Sequence, residues 1–214
     1  MPEPAEPAEP GQRLIGLLAE SKTLGFLGPG PVMFHVEHAA TFVASVGPID
    51  RIIDLGCGGG LPGLILIDRL PGASFVLLDA QQRRCAFLEE AVVALGAASR
   101  VRVVCARAEE AAHDPELRGS FDTLVSRSFG PPSVTVECGA PFVRVGGRLL
   151  VSEPPEWQSD GSRWSADVLA ELGLRDSGSS RLDGGGFVRQ LSVERPTPSS
   201  YPRRNGIPGK RPLF

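Results

Sequence analysis

The run Asp54-Leu55-Gly56-Cys57-Gly58-Gly59-Gly60-Leu61-Pro62-Gly63, entered from the apolar Arg51-Ile52-Ile53, reads as strand, glycine loop, helix. Such a loop suits a nucleotide-like ligand. Glycines let the backbone approach the ligand closely, and the first turn of the following helix carries unpaired N–H groups. Pro62 has the φ favoured at the start of a helix. The acids narrow the choice of ligand. Dinucleotide folds place their carboxylate about 20 residues beyond the loop. Here Asp54 precedes the glycines, and Asp79 follows at the end of the next apolar run, Ser74-Phe75-Val76-Leu77-Leu78. Acid, loop and second acid is the pattern of S-adenosyl-L-methionine (SAM) sites. Gly58 to Gly63 also meets the dinucleotide spacing, a weak match in so glycine-rich a run, which keeps a nicotinamide oxidoreductase as a distant alternative.

On this reading Gly56, Gly58 and Gly60 form the turn beneath the methionine part of the cofactor. Asp54 either fixes the loop or receives the ammonium group. Asp79 lies 23 residues after Gly56, the spacing of a carboxylate that accepts both hydroxyls of a ribose, or else is a solvated strand end. Ser126-Arg127-Ser128-Phe129, at the end of a fourth apolar run, faces the place where an acceptor must arrive. Amino-group methylases carry an Asn/Asp-Pro-Pro-aromatic motif there, and Pro131-Pro132 comes too late to serve. Cytosine-C5 enzymes need a nucleophilic cysteine, whereas Cys138 falls in a predicted helix and Cys57 in the cofactor loop. Guanine N7 has an exposed lone pair and no proton to lose, so its methylation needs alignment and little acid–base help. Arg127 can hold the SAM carboxylate, a substrate phosphate or the guanine edge, or make a structural salt bridge.

The elements that must position these residues alternate regularly. Strands are expected at about 50–55, 74–79, 101–105, 121–126 and 146–152, with helices near 62–70, 82–95, 107–112 and 133–143. Apolar strands joined by helices argue for a parallel, doubly wound sheet covered on both faces. Phe87, Leu88, Ala91, Val92 and Leu95 recur at helical spacing and should pack on it. A last helix near 163–172 and strands near 173–176 and 186–194 complete the count. The predicted organisation is a disordered acidic, Pro-rich tail over 1–10 and an N-terminal helical extension over 11–48. A cofactor-binding domain over 49–195 and a basic C-terminal tail over 196–214 follow. The extension holds helices around Leu14, Ile15, Leu17 and Leu18 and over about 32–46.

Composition sets limits. A chain of 214 residues with 42% hydrophobic content supports one large α/β domain. Its net charge of −3 provides no global basic field, so nucleic acid must be met by a local patch. The tail supplies one: Arg195, Arg203, Arg204, Lys210 and Arg211 surround Tyr201 with no acid after Glu194, which suits looped RNA by phosphate pairing and stacking. The same tail reads equally as a strap over the sheet. Cys57, Cys85, Cys105 and Cys138 lack the paired spacing of a zinc site or small disulfide scaffold. His35 and His38 lack a third ligand, so no metal is expected. Without a signal-like start or an apolar run of about 20 residues, the expected location is the cytoplasm.

Further segments match one family in order: Arg83-Arg84-Cys85-Ala86-Phe87-Leu88, Ala106-Arg107-Ala108-Glu109, Phe121-Asp122-Thr123-Leu124-Val125-Ser126-Arg127, and Tyr201-Pro202-Arg203-Arg204-Asn205-Gly206-Ile207-Pro208-Gly209-Lys210. The chain resembles the bacterial RsmG (GidB) methyltransferases. The resemblance implies a Rossmann-like class I SAM-dependent methyltransferase with a seven-stranded, mostly parallel sheet whose last strand is antiparallel. It implies methyl transfer from SAM to guanosine N7 in 16S ribosomal RNA, free or in the small ribosomal subunit. It assigns Ala108 and Glu109, with Gly56, Leu61 and Arg127, to the cofactor; there a backbone N–H at 108 or 109 can face the adenine and the Glu109 carboxylate its exocyclic amine, or else Glu109 and Glu110 are a solvated first helical turn. Arg203, Arg204 and Lys210 fall to the RNA. Departures lie on the acceptor side. Gly25-Phe26-Leu27-Gly28-Pro29-Gly30-Pro31 replaces an Asn-Leu-Thr element, His35-Val36-Glu37-His38-Ala39 replaces His-x-x-Asp-Ser, and Ser152-Glu153-Pro154-Pro155 replaces a lysine-glycine pair. Another RNA or small-molecule acceptor, or a non-catalytic SAM-binding ribosome-associated protein, are the alternatives these leave open.

Overall fold

The structure is a computed structural model that describes residues 11–154, 163–181 and 187–214. The acidic tail over 1–10 and Pro155 lie outside the described residues. Two helices, α1 (Gln12–Thr23) and α2 (Val32–Ala40), precede the sheet. The core follows as β1 (Arg51–Leu55), α3 (Gly63–Arg69), β2 (Ser74–Asp79), α4 (Gln82–Ala94), β3 (Val101–Cys105), α5 (Ala108–Ala111), β4 (Phe121–Ser126) and α6 (Pro132–Gly139). Then come β5 (Val143–Glu153), α7 (Ala166–Glu171), β6 (Leu174–Arg181), β7 (Phe187–Val193) and a short α8 (Ile207–Lys210).

The strands form one sheet in the order β3-β2-β1-β4-β5-β7-β6. The first five pair in parallel, and β7 runs antiparallel to both β5 and β6. Successive side chains of a strand point to opposite faces, and the core divides accordingly. Ile52 and Leu77 join Leu14, Leu18, Val36, Leu88 and Val92 on one face, whereas Ile53, Val76 and Leu78 join Phe121, Phe142 and Leu169 on the other. The N-terminal helices therefore share a core with the sheet. After β1 the chain builds outward to β3, then returns to place β4 on the other side of β1. That reversal opens a crevice at the carboxyl ends of β1 and β4, where open α/β sheets bind ligands.

Several boundaries differ from expectation for local reasons. The helix expected to reach residue 46 stops at Ala40, because Thr41 Oγ1 donates to the His38 carbonyl and a 3-10 turn, Val43–Ser45, follows. The helix over 133–143 ends at Gly139, and β5 begins at Val143, not 146, crossing Gly146 (φ 82°) through an irregularity in its pairing with β4. β6 runs to Arg181 past Gly178 (φ 93°), its Ser-Gly-Ser-Ser stretch concealing the strand pattern.

The C-terminal tail is a strap over the second face. Arg118 donates to the carbonyls of Thr197, Pro198 and Tyr201, and His113 Nε2 lies 3.1 Å from the Pro202 carbonyl. Tyr201 is not a free stacking platform: its ring packs on the core and its hydroxyl donates to Glu171 at 2.6 Å. Arg203 is similarly committed. Its Nε and Nη2 donate at 2.7 Å to the two oxygens of Glu137, a carboxylate with 0% exposure, and its backbone N–H adds a bond of 3.0 Å. Arg203, expected at the RNA, is thus tied into the fold through Glu137 while 30% of its side chain stays exposed. Arg203→Ala is expected to leave a buried, unpaired carboxylate and to destabilise the fold by about 3 kcal/mol, with Glu137→Gln in that background recovering most of the loss. Urea denaturation of the two variants checks this.

Candidate functional site

The glycine loop runs from the end of β1 into α3, with positive φ at Gly56 (69°), Gly58 (53°) and Gly60 (98°). Its two ends are tied by Asp54, whose Oδ2 accepts the N–H of Gly63 at 2.8 Å. Asp54 is fully buried and fixes the loop through this bond. Its Oδ1 has no partner among the described residues. Burial pushes the carboxyl pKa up to about 7; the Gly63 bond and Arg127 oppose the rise, and Asp79 adds to it.

Asp79, at the end of β2, closes the loop from the other side. Oδ2 accepts the Gly58 N–H at 2.9 Å and Oδ1 the Gln81 N–H at 2.8 Å, with Arg84 Nη1 at 3.6 Å from Oδ2. A carboxylate offers about four lone-pair sites, so acceptor capacity remains for a ligand. α1 braces the loop from below: Ser21 Oγ donates to the Gly59 carbonyl at 2.9 Å. A Cβ at Gly59 would meet that hydroxyl at 2.5 Å and Leu27 at 2.7 Å, so this glycine is required by close approach.

Two cavities flank Gly56. One, about 210 Å³, is lined by Asp79, Gln81, Ala108, Glu109 and Phe129; the other, about 200 Å³, by Leu27, Gly58, Leu61 and Arg127. Both include Gly56, Arg84 and Ser128. Each alone is smaller than the roughly 300–1,000 Å³ of a small-molecule site, and as two ends of one cleft they reach it. Phe129 packs so closely on Gly56 that a Cβ there would lie 2.4 Å from its ring.

Arg127 stands on the second cavity's wall, and its Nη2 lies 2.9 Å from His35 Nδ1. His35, buried on α2, places Nε2 3.1 Å from the Gly28 carbonyl. Burial lowers the Arg127 pKa, and Asp54 partly restores it. His38, three residues further along α2, has its pKa pushed down by burial, then by Arg127 and His35, and its Nδ1 is buried without a partner among the described residues.

Residues 32–160, more than half of the chain, match the family model described as GidB, rRNA small subunit methyltransferase G. The chain belongs to the methyltransferase G family. It is 38% identical over 173 residues to the ribosomal RNA small subunit methyltransferase G of Moorella thermoacetica, covering 78% of this chain and 71% of that one. Identity to the protein of the same name from Symbiobacterium thermophilum is also 38%, over 193 residues, 85% of this chain and 78% of the relative. In fold the methyltransferase G chain is similar to an O-methyltransferase from Bacillus cereus solved in complex with SAH, with a TM-score of 0.63 at 16% identity over 86% of this chain and 92% of that one. The class I methyltransferase architecture is thus the one this sheet adopts.

Within this methyltransferase G chain, Gly56, Gly58, Leu61, Asp79, Ala108, Glu109 and Arg127 line the cleft, Asp54 and Gly60 are buried at the loop without lining it, and Arg203, Arg204 and Lys210 lie outside it. Ala108 and Glu109 open α5 on the first cavity's wall, but the Glu109 carboxylate is already occupied. Arg107 holds it through Nε at 3.2 Å and Nη2 at 2.7 Å, and the Gly206 N–H from the strap adds 3.0 Å. Burial alone would raise the Glu109 pKa, yet these bonds outweigh it and the net shift is downward. Arg203 lies in the strap, and Arg204 and Lys210 are exposed with no ion pair among the described residues. Two contributors were not singled out from the residues. Arg84 was foreshadowed by its place five residues after Asp79 at the start of a helix, whereas Ser21 reaches the loop across 38 residues and leaves no local signal. His35, weighed as a metal ligand and as the first residue of an acceptor-side segment, instead contacts Arg127, 92 residues away.

The raised pKa of Asp54 has a sign that can be checked. Its protonated form is favoured by folding, so the stability it contributes is full below pH 3.8 and is lost as pH rises through about 7. Asp54→Asn, whose amide oxygen still accepts from Gly63, is expected to flatten that decline and to be at least as stable as wild type at pH 8. Denaturant midpoints across this pH range decide it.

Proposed function

We propose that this chain transfers a methyl group from S-adenosyl-L-methionine to N7 of a guanosine in 16S rRNA, with the free RNA or the small ribosomal subunit as its partner. The observation that carries the reading is the cleft at the sheet's reversal. There the glycine floor, a carboxylate at the end of β2 and an arginine at the end of β4 converge in a chain of the methyltransferase G family.

The residues fit the cofactor. Gly56 and Gly58 line the cleft with backbone alone, Gly60 behind them leaves its side-chain space to Leu64, and each of the three has a φ that a glycine adopts readily. Gly56, Gly58, Gly60 and Leu61 underlie the methionine part, and Asp54 holds that floor in shape. Asp79 accepts the ribose hydroxyls on its remaining lone pairs, and Ala108 borders the adenine. Glu109 contributes wall, its carboxylate tied to Arg107 and the strap. When bound, SAM supplies an electrophilic methyl group on a sulfonium. Guanine N7 offers its own lone pair and has no proton to surrender, so the protein's task is alignment and exclusion of water. Arg127, beside the methionine half, orients the acceptor as a fixed donor fork. Arg204 and Lys210 take backbone phosphates.

Gly58→Leu is expected to abolish SAM binding with the fold retained, and Asp79→Ala to weaken it by about 1.5–3 kcal/mol, the scale of hydrogen bonds to a charged group. Calorimetry with SAM measures both, and unchanged affinity removes the loop or the carboxylate from the site. Neutralising Arg204 and Lys210 is expected to weaken RNA binding across sequences and to flatten its salt dependence while SAM affinity stays unchanged. The deciding assay is single-turnover transfer of labelled methyl to 16S rRNA and to small-subunit particles, with N7 located by borohydride–aniline cleavage. Label on a carbon or an exocyclic amine, or on neither substrate, overturns the reading in favour of another acceptor.

A further inference from the structure

We infer that His35 is a positioning residue for methyl transfer: its Nδ1 fixes the Arg127 guanidinium, and the Gly28 carbonyl fixes the tautomer that lets it do so. The inference rests on the proposed role of Arg127 at the acceptor side of the cleft.

The chemistry of the two contacts leaves one arrangement. A guanidinium has donors only. Arg127 Nη2 at 2.9 Å therefore requires an unprotonated Nδ1 on His35. The ring's other nitrogen, 3.1 Å from the Gly28 carbonyl, must then carry the proton, because a carbonyl only accepts. Donor, acceptor and donor follow one another from Arg127 through the imidazole to Gly28, a relay that sets tautomer and ring orientation together. His35 is 5% exposed, so water does not compete for either nitrogen.

The contact decides where the guanidinium points. Arg127 follows β4 on a segment whose next residue, Ser128, has φ 59°, a left-handed conformation that non-glycine residues seldom adopt. Backbone placement alone leaves a long side chain free to swing. His35 Nδ1 is the hydrogen-bond acceptor recorded for this guanidinium, and Gly28, the relay's other end, lines the same cavity as Arg127. The groups facing the pair are His38 on α2 and Asp54 at the end of β1, which act on Arg127 through space. The N-terminal segment thus supplies the anchor for an arginine 92 residues away.

Two substitutions separate the contacts. The side-chain oxygen of an asparagine falls near the place of Nδ1, whereas the amide nitrogen of a glutamine reaches that of Nε2. His35→Asn keeps an acceptor for Arg127 and loses Gly28, and His35→Gln keeps a donor for Gly28 and loses Arg127. With saturating SAM and RNA, single-turnover methyl transfer is expected to fall about 10–100-fold in His35→Gln and to stay within about threefold of wild type in His35→Asn. Equal losses in the two variants, or the reverse order, would mean that His35 serves only to hold the loop, and would overturn the inference. A second readout needs neither cofactor nor turnover. Ring 15N shifts of His35 in the free protein should show an unprotonated Nδ1 and a protonated Nε2, and a proton on Nδ1 also overturns it. Failure of wild type to methylate rRNA would sink the proposed activity, while the nitrogen shifts would still report the relay.

Discussion

A carboxylate with no exposure takes the first amide of α3, and through that bond the central strand, the glycine loop and the helix become one rigid unit. Asp54 sits on β1, the strand paired in parallel with both β2 and β4, so its position is fixed from two sides before the loop begins. The bond satisfies one of the orphan N–H groups at a helix start and closes a loop of successive left-handed glycines that has little regular structure of its own. Its penalty is a buried acid whose proton affinity rises toward neutrality. Everything else in the cleft is arranged around the geometry that this contact sets.

Both ends of the chain are built into that geometry. Ser21 on α1 and the Phe26–Leu27 segment press on Gly59, and Gly28 and His35 reach Arg127. From the other end, the strap delivers the Gly206 amide to Glu109 on the wall of the first cavity. The site is therefore a product of the sheet, which places the strand ends, and of two flanking segments, which fix what the strand ends leave loose. Among the described residues no helix is long and apolar enough to cross a membrane.

Much of this was legible in the residues because it rests on local patterns. The apolar runs gave five parallel strands, the glycines and two acids gave the cleft, and the 3.6-residue spacing from Phe87 to Val92 gave the buried face of α4. What escaped depends on interactions that sequence spacing does not encode. Thr41 ends α2 by bonding back to His38, and a bulge at Gly146 lets β5 continue through what reads as a turn. Arg203 reads as a surface cation until Glu137 is found opposite it, 66 residues away. Glu109 reads as a ligand group for the same reason: its partners, Arg107 and Gly206, are apparent only once the strap is folded over α5.

The strap also sets the sign of the surface it crosses. Beneath it lie Glu109, Glu110, Glu137 and Glu171, each engaged by a group of the strap: the Gly206 amide, Asn205, Arg203 and the Tyr201 hydroxyl. Folded down, the strap buries Glu109 and Glu137, holds the exposed Glu110 and Glu171 in hydrogen bonds, and presents Arg204, Lys210 and Arg211 outward. In a chain whose net charge is −3, the strap concentrates positive charge on this flank while it holds the neighbouring acids in bonds. A chain cut before Arg203 would lose four cations there, Arg203, Arg204, Lys210 and Arg211, and would uncover the carboxylates of Glu109 and Glu137, turning the same flank toward negative charge.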